Sequence, residues 1–184
     1  MIRSWRYTVA AFLIAVAVCA IDAASKALAV GNLTAHRSVI LLGGLITLHL
    51  YRNPGAAFGI GPSYTVIYAL IEAAVLVAIV HLSGRLRSWP WGIAFGLLLG
   101  GAAGNLADRL FRSPGPLRGF VIDWIKLPYF PPTFNLADSA ITIGAAVIVL
   151  ASARGWRLDG GSPRPDPTTQ QAAPGRGLPP PLNP

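Results

Sequence analysis

Apolar side chains run almost unbroken through four stretches of this chain, roughly residues 7–30, 64–82, 91–110 and 136–153. Crossing a bilayer takes about 20 such residues in a helix, so the pattern predicts four transmembrane helices. The pattern changes between the first two stretches. In "LITLHLYR", Ile46, Leu48 and Leu50 alternate with Thr47, His49 and Tyr51, the period of a strand with one apolar face. "NPGAAFGIGP" then supplies turn residues. "FVIDWI", residues 120–125, is a second short strand candidate. The predicted fold class is a mainly α membrane protein, with four transmembrane helices and a small extracytoplasmic antiparallel β-sheet built from outer loops at about 31–63 and 111–135. One transmembrane unit is expected over 1–158. Residues 159–184 hold eight of the sixteen prolines and read as a disordered cytoplasmic tail without a catalytic role. No internal repeat is apparent.

Composition agrees with a membrane protein. Of 184 residues, 53% are hydrophobic and 12% charged, against about 25% charged in soluble domains; mean hydropathy is +0.55. The single cysteine, Cys19, rules out an internal disulfide framework and a cysteine-based metal site. The net charge of +8 would suggest nucleic acid in a soluble protein. Here the arginines sit mostly at the ends of apolar segments, where they set topology and meet anionic lipid. Arg3 and Arg6, Arg85 and Arg87, and Arg154 and Arg157 share one side of a four-span protein, and that side is expected to be cytoplasmic. Arg37, Arg52, Arg112, Arg118 and Lys126 fall on the other side and weaken the bias. The first span also resembles a cleaved signal peptide, with a basic start and small residues, but its helical pattern continues through "IDAASKALAV".

A charge inside the membrane costs several kcal/mol, roughly, and is normally paired, facing protein, or functional. The polar residues cluster near the outer ends of the spans. Asp22 and Lys26 stand i,i+4 on span one, which gives a helix ion pair or a brace for a site. In "GLLLGGAAGNLADRL", Gly96, Gly100 and Gly104, with Gly92 before them, recur every fourth residue, a stripe that admits another helix closely. Asn105, Asp108 and Arg109 then follow at helical spacing and can share one face. Arg109 is expected to pair with Asp108 or to support the loops. Asn53 precedes a Pro-Gly turn. Glu72, near the middle of span two, is either functional, protonated or paired, and the sequence leaves it unassigned.

Two aspartates stand fifteen residues apart in "VIDWIKLPYFPPTFNLADS". Asp123 lies in an apolar, strand-like run where desolvation would raise its pKa. Asp138 stands third in the last helix behind Asn135, an arrangement much like a capping box, and a helix N-terminus favours a negative charge. Carboxylates in unlike environments can divide acid and base roles, provided that "KLPYFPPT" folds back, with prolines stiffening the turn.

Taken in order on four spans, "DAASK", "RNPGAAFG", "GGAAGNLADR", "VIDWI" and "FNLADSAI" resemble the bacterial lipoprotein signal peptidase family, also called signal peptidase II, over roughly residues 7–153. The resemblance implies an aspartic-type intramembrane peptidase of the bacterial inner membrane, a monomer with both termini cytoplasmic and its site near the outer face. It implies Asp123 and Asp138 as the catalytic pair, with Asp22, Lys26, Asn53, Asn105, Asp108, Arg109 and Asn135 binding substrate or supporting the site. The implied substrate is a diacylglyceryl-modified prolipoprotein, cut just before the lipidated cysteine. Membrane lipids are implied partners, cyclic depsipeptides such as globomycin are implied inhibitors, and no metal, cofactor or nucleic acid is expected. The rival readings are a small proton-coupled transporter using Asp22, Glu72, Asp108 and Asp138, and a structural membrane subunit. Matching halves, common in carriers, are missing, and so is the tight acidic cluster that a metal-dependent transferase would need.

Overall fold

The computed structural model describes residues 5–34, 37–55 and 64–161. The elements run α1 (Trp5–Asn32), β1 (Val39–Leu41), β2 (Ile46–Asn53), α2 (Thr65–Ser83), α3 (Trp89–Phe111), β3 (Val121–Leu127), β4 (Phe130–Phe134) and α4 (Leu136–Ala153). All four helices are long and apolar enough to cross a membrane. The tail expected from 159 lies outside the described residues after Gly161.

Glycine spacing organises the bundle around α3. Over half of its span is buried by protein, 56%, against 17–22% for the other three helices, which turn large apolar side chains such as Leu13, Val16, Val77 and Val149 outward. A Cβ at Gly96 would come within 2.7 Å of the Ala11 carbonyl, and one at Gly100 within 2.6 Å of the Ala15 carbonyl. The four-residue stripe is therefore the seam with α1. Gly101 and Gly144 do the same between α3 and α4: their Cβ atoms would lie 2.6 Å from the Ala137 carbonyl and 3.0 Å from the Ala94 carbonyl. With lipid outside, such close van der Waals packing holds helices together where the hydrophobic effect cannot. Away from the sheet, Ala11, Ala15, Ile79, Leu86, Phe95 and Leu99 form an apolar cluster. The Trp91 indole closes that end by donating to the Trp156 carbonyl at 2.8 Å.

The sheet has strand order β1-β2-β3-β4, antiparallel throughout. It is anchored to the end of α1 by a cluster of Ala29, Leu33, Leu50 and Ile122. The two strands read from the sequence are β2 and β3. The flanking strands were not anticipated, for physical reasons. β1 has three residues, and β4 contains Pro131 and Pro132, residues that sheets tolerate on edge strands. "KLPYFPPT" is thus the second half of a hairpin, with Tyr129 at its tip in the left-handed region (φ 61°), and its prolines stiffen an edge strand more than a turn.

Candidate active site

Register brings the first carboxylate to its partner. Leu48 pairs with Ile125, but beyond a β-bulge Tyr51 pairs with Asp123. An uninterrupted ladder would set Leu50 opposite Asp123 and Arg52 diagonal to it. The extra residue moves every later position by one, so Asn53 becomes the diagonal neighbour, and its Nδ2 donates to Asp123 Oδ2 at 2.8 Å. Asn53 Oδ1 meanwhile accepts from the Gly55 backbone at 2.9 Å, the side-chain turn that its position before Pro-Gly predicts.

The second carboxylate is set by the start of α4. Asn135 Oδ1 accepts from Asp138 N at 2.9 Å, and Asp138 Oδ2 accepts from Asn135 N at 3.1 Å. This is a capping box, as the sequence predicts. The cap does not exhaust either residue. Asn135 Nδ2 reaches Asp123 Oδ1 at 2.7 Å, and Asn105 Nδ2 reaches Asp138 Oδ1 at 2.8 Å. All four carboxylate oxygens thus receive a hydrogen bond from the backbone or an asparagine, and Asn135 bridges the two acids. Asp123 is 1% exposed, and its carboxyl is pushed up to about 7 by burial first and the charge of Asp138 second, with the Asn53 and Asn135 donors and Lys26 opposing.

Behind the asparagines lies a buried charge cluster. Lys26 Nζ forms ion pairs with Asp22 Oδ2 at 2.7 Å and Asp108 Oδ2 at 2.9 Å and donates to Asn105 Oδ1 at 3.0 Å. Asp22 Oδ1 accepts from Ala137 N at 3.0 Å, and Asp108 Oδ2 from Ile122 N at 3.1 Å. The ion pair expected on α1 exists, and it also ties α1 to the start of α4, to α3 and to β3.

Of the two roles expected of Arg109, the structure shows support of a loop, through Nη2 donating to the Gly55 carbonyl, and not a pair with Asp108. Asp108 pairs with Lys26 and Arg112, while Arg109 turns toward α2 and joins Glu72. Neighbours on a helix, rotated by about 100°, cannot face the same partner, and the acid that could satisfy Arg109 lies on another span. Asn105 and Asp108 both meet Lys26, while Asn105 and Arg109 both border the cavity that Asp123 and Asp138 line.

Asp123 and Asp138 line a cavity of about 680 Å³. Asn53, Asn105 and Arg109 share its polar part; Ile71, Leu127, Phe130, Phe134 and Ile141 form apolar walls. The wall residues were not singled out from the sequence, because nothing distinguishes a cavity-facing Ile or Phe from a lipid-facing one until the helices are packed.

Four apolar helices carrying a small sheet, with two carboxylates bordering one cavity, are the architecture of a multi-pass membrane protein with a built site. Two solved structures described as bacterial membrane enzymes, at 2.3 and 1.9 Å resolution by the in meso method, are similar to this chain. Their TM-scores are 0.69 and 0.66 at 30% and 31% identity, over 78% and 77% of this chain and 87% and 91% of theirs. The family model for signal peptidase II matches residues 14–154. The lipoprotein signal peptidase of Streptomyces coelicolor is 46% identical over 158 residues, 86% of this chain and 77% of that protein. That of Mycobacterium leprae is 41% identical over 146 residues, covering 79% and 72%. The chain belongs to the signal peptidase II family, peptidases that remove signal peptides from lipoproteins.

Proposed function

We propose that the chain is an aspartic endopeptidase in which Asp123 and Asp138 activate water against the peptide bond just before a diacylglyceryl-modified cysteine. The observation that carries this reading is the hydrogen bonding of both carboxylates: every oxygen is held, and both acids border one cavity with apolar walls. Two close carboxylates share one proton, and the burial that raises the Asp123 pKa supports Asp123 as its holder. Ionised Asp138, which borders the cavity, takes a proton from water as the water oxygen bonds to the scissile carbonyl carbon. Asp123 gives its proton to the carbonyl oxygen, forming a gem-diol. Collapse breaks the C–N bond. Asp138 passes its proton to the leaving nitrogen, and a diol hydroxyl returns one to Asp123, which restores the pair.

Asn53, Asn105 and Asn135 keep the carboxylates oriented, and the cluster of Asp22, Lys26 and Asp108 holds Asn105 from behind through Lys26, with Asn135 donating to the same Asn105 oxygen. The apolar walls suit a lipid-anchored cysteine and would equally seat a cyclic depsipeptide such as globomycin. One chain supplies the whole site, so a monomer suffices. The arginine pairs before span one, between spans two and three and after span four favour cytoplasmic termini, with the cavity near the outer face.

The test is a gel-shift cleavage assay on a diacylglyceryl-modified prolipoprotein in detergent, with wild type, Asp123→Asn and Asp138→Asn. Both folded variants are expected to lose at least about 10³-fold in rate, as removing an essential acid or base does. Full activity in either variant overturns the assignment.

A further inference from the structure

Glu72 is a half-buried acid that the reaction above does not use. It is the eighth of nineteen residues in α2 and borders the same cavity as the two aspartates. Its two carboxylate oxygens accept from Arg109 Nε at 3.2 and 3.1 Å. The far side of the guanidinium is also held: Nη2 donates to the Gly55 carbonyl at 3.1 Å, and the group lies over the Tyr68 ring, 5.7 Å from its centroid. Arg109 is only 4% exposed, yet Nη1 has no acceptor among the described residues. A planar fork fixed at two nitrogens cannot rotate, so Arg109, which borders the cavity, is held there in one orientation with its third nitrogen buried.

We propose that Glu72 is a positioning residue for substrate binding. It acts through Arg109, holding the guanidinium in the cavity wall where the bound peptide meets it and keeping Gly55, two residues beyond Asn53, against it. The proposal rests on the proteolytic reading of the cavity. Without Glu72, the remaining acids bordering the cavity are Asp123 on β3 and Asp138 on α4, with Lys26 of α1 behind Asn105. The freed guanidinium would then be drawn away from Gly55 toward the aspartates.

The experiment is a double-mutant cycle of Glu72→Gln and Arg109→Gln, read as kcat and KM for cleavage of a diacylglyceryl-modified prolipopeptide. Glutamine keeps the shape of Glu72 and removes its charge. Glu72→Gln is expected to raise KM about tenfold, the size of one charged hydrogen bond, with kcat changed by less than about threefold. In the Arg109→Gln background it should add less than about twofold. An equal rise in KM in both backgrounds would mean that Glu72 acts on its own. An unchanged KM, or a fall in kcat alone, would likewise overturn the proposal. If Arg109→Gln does not fold, Arg109→Lys completes the cycle, since an ammonium cannot span Glu72, Gly55 and a substrate oxygen together. A wild-type enzyme that leaves the lipopeptide uncut removes the proteolytic reading itself, an outcome distinct from a failed cycle.

Discussion

Replacing Gly104 by alanine puts one methyl group where the structure has no space. Its Cβ would lie 2.6 Å from Asp22 Oδ2 and 3.2 Å from Asp22 Cγ. Ordinary contact begins at 3.4 Å, so Asp22 must retreat by the difference, about 0.8 Å. It cannot swing aside, because it is fully buried, with Oδ2 2.7 Å from Lys26 and Oδ1 holding Ala137 N at 3.0 Å. Overpacking of this kind costs about 1–3 kcal/mol, and breaking a buried ion pair about 3–5. The pair here is stretched and not removed, so a loss of about 3 kcal/mol is expected. Ala137 immediately precedes Asp138, and the displacement therefore reaches the site. A misplacement near 1 Å lowers a catalysed rate on the order of 100-fold. Thermal unfolding in detergent and the cleavage assay read the two effects. Gly31→Ala is the control, since a Cβ there meets nothing within 4 Å, and its melting temperature and rate should match wild type. The reasoning fails if Gly104→Ala melts with wild type and cleaves at the wild-type rate.

Two further outcomes are expected. Activity that needs a protonated Asp123 should be present at acid pH and fall as pH rises through about 7. The raised value means that the folded state prefers the protonated acid, a contribution lost between the ordinary 3.8 and about 7. Asn53→Ala removes a hydrogen bond that favours the ionised form, so the alkaline limb of the rate profile should move to higher pH; a downward move contradicts this account. Lys26→Met leaves Asp22 and Asp108 buried without their shared cation and should destabilise the protein by about 3–5 kcal/mol. A variant that melts with wild type would show that the cluster contributes nothing.

The helices were readable in advance because a bilayer imposes one requirement, a long apolar run, and the four predicted spans agree with the observed helices to within about two residues. Asn135 and Asp138 were readable as a cap because capping is local. What the sequence hid was non-local. The period-two pattern of β2 carries no mark of its bulge, yet the bulge decides whether Asn53 or Arg52 approaches Asp123. The partner of Glu72 is 37 residues away on another helix, and helical spacing alone grouped Arg109 with Asp108. The prolines of β4 suppressed a strand reading that only its position at the sheet edge permits.

That edge has a consequence for how an extended chain meets the enzyme. A bare strand edge is a template for adding further strands and for runaway self-association. Of the adjacent Pro131 and Pro132, whose positions point to opposite sides of the strand, one removes a backbone donor from the free edge of the five-residue β4, and at the opposite edge β1 is only three residues long. Neither border can offer a long ladder. A peptidase of this family, which works on other polypeptides, is thereby kept from polymerising with them through its sheet, and an incoming chain finds no long strand edge to zip onto.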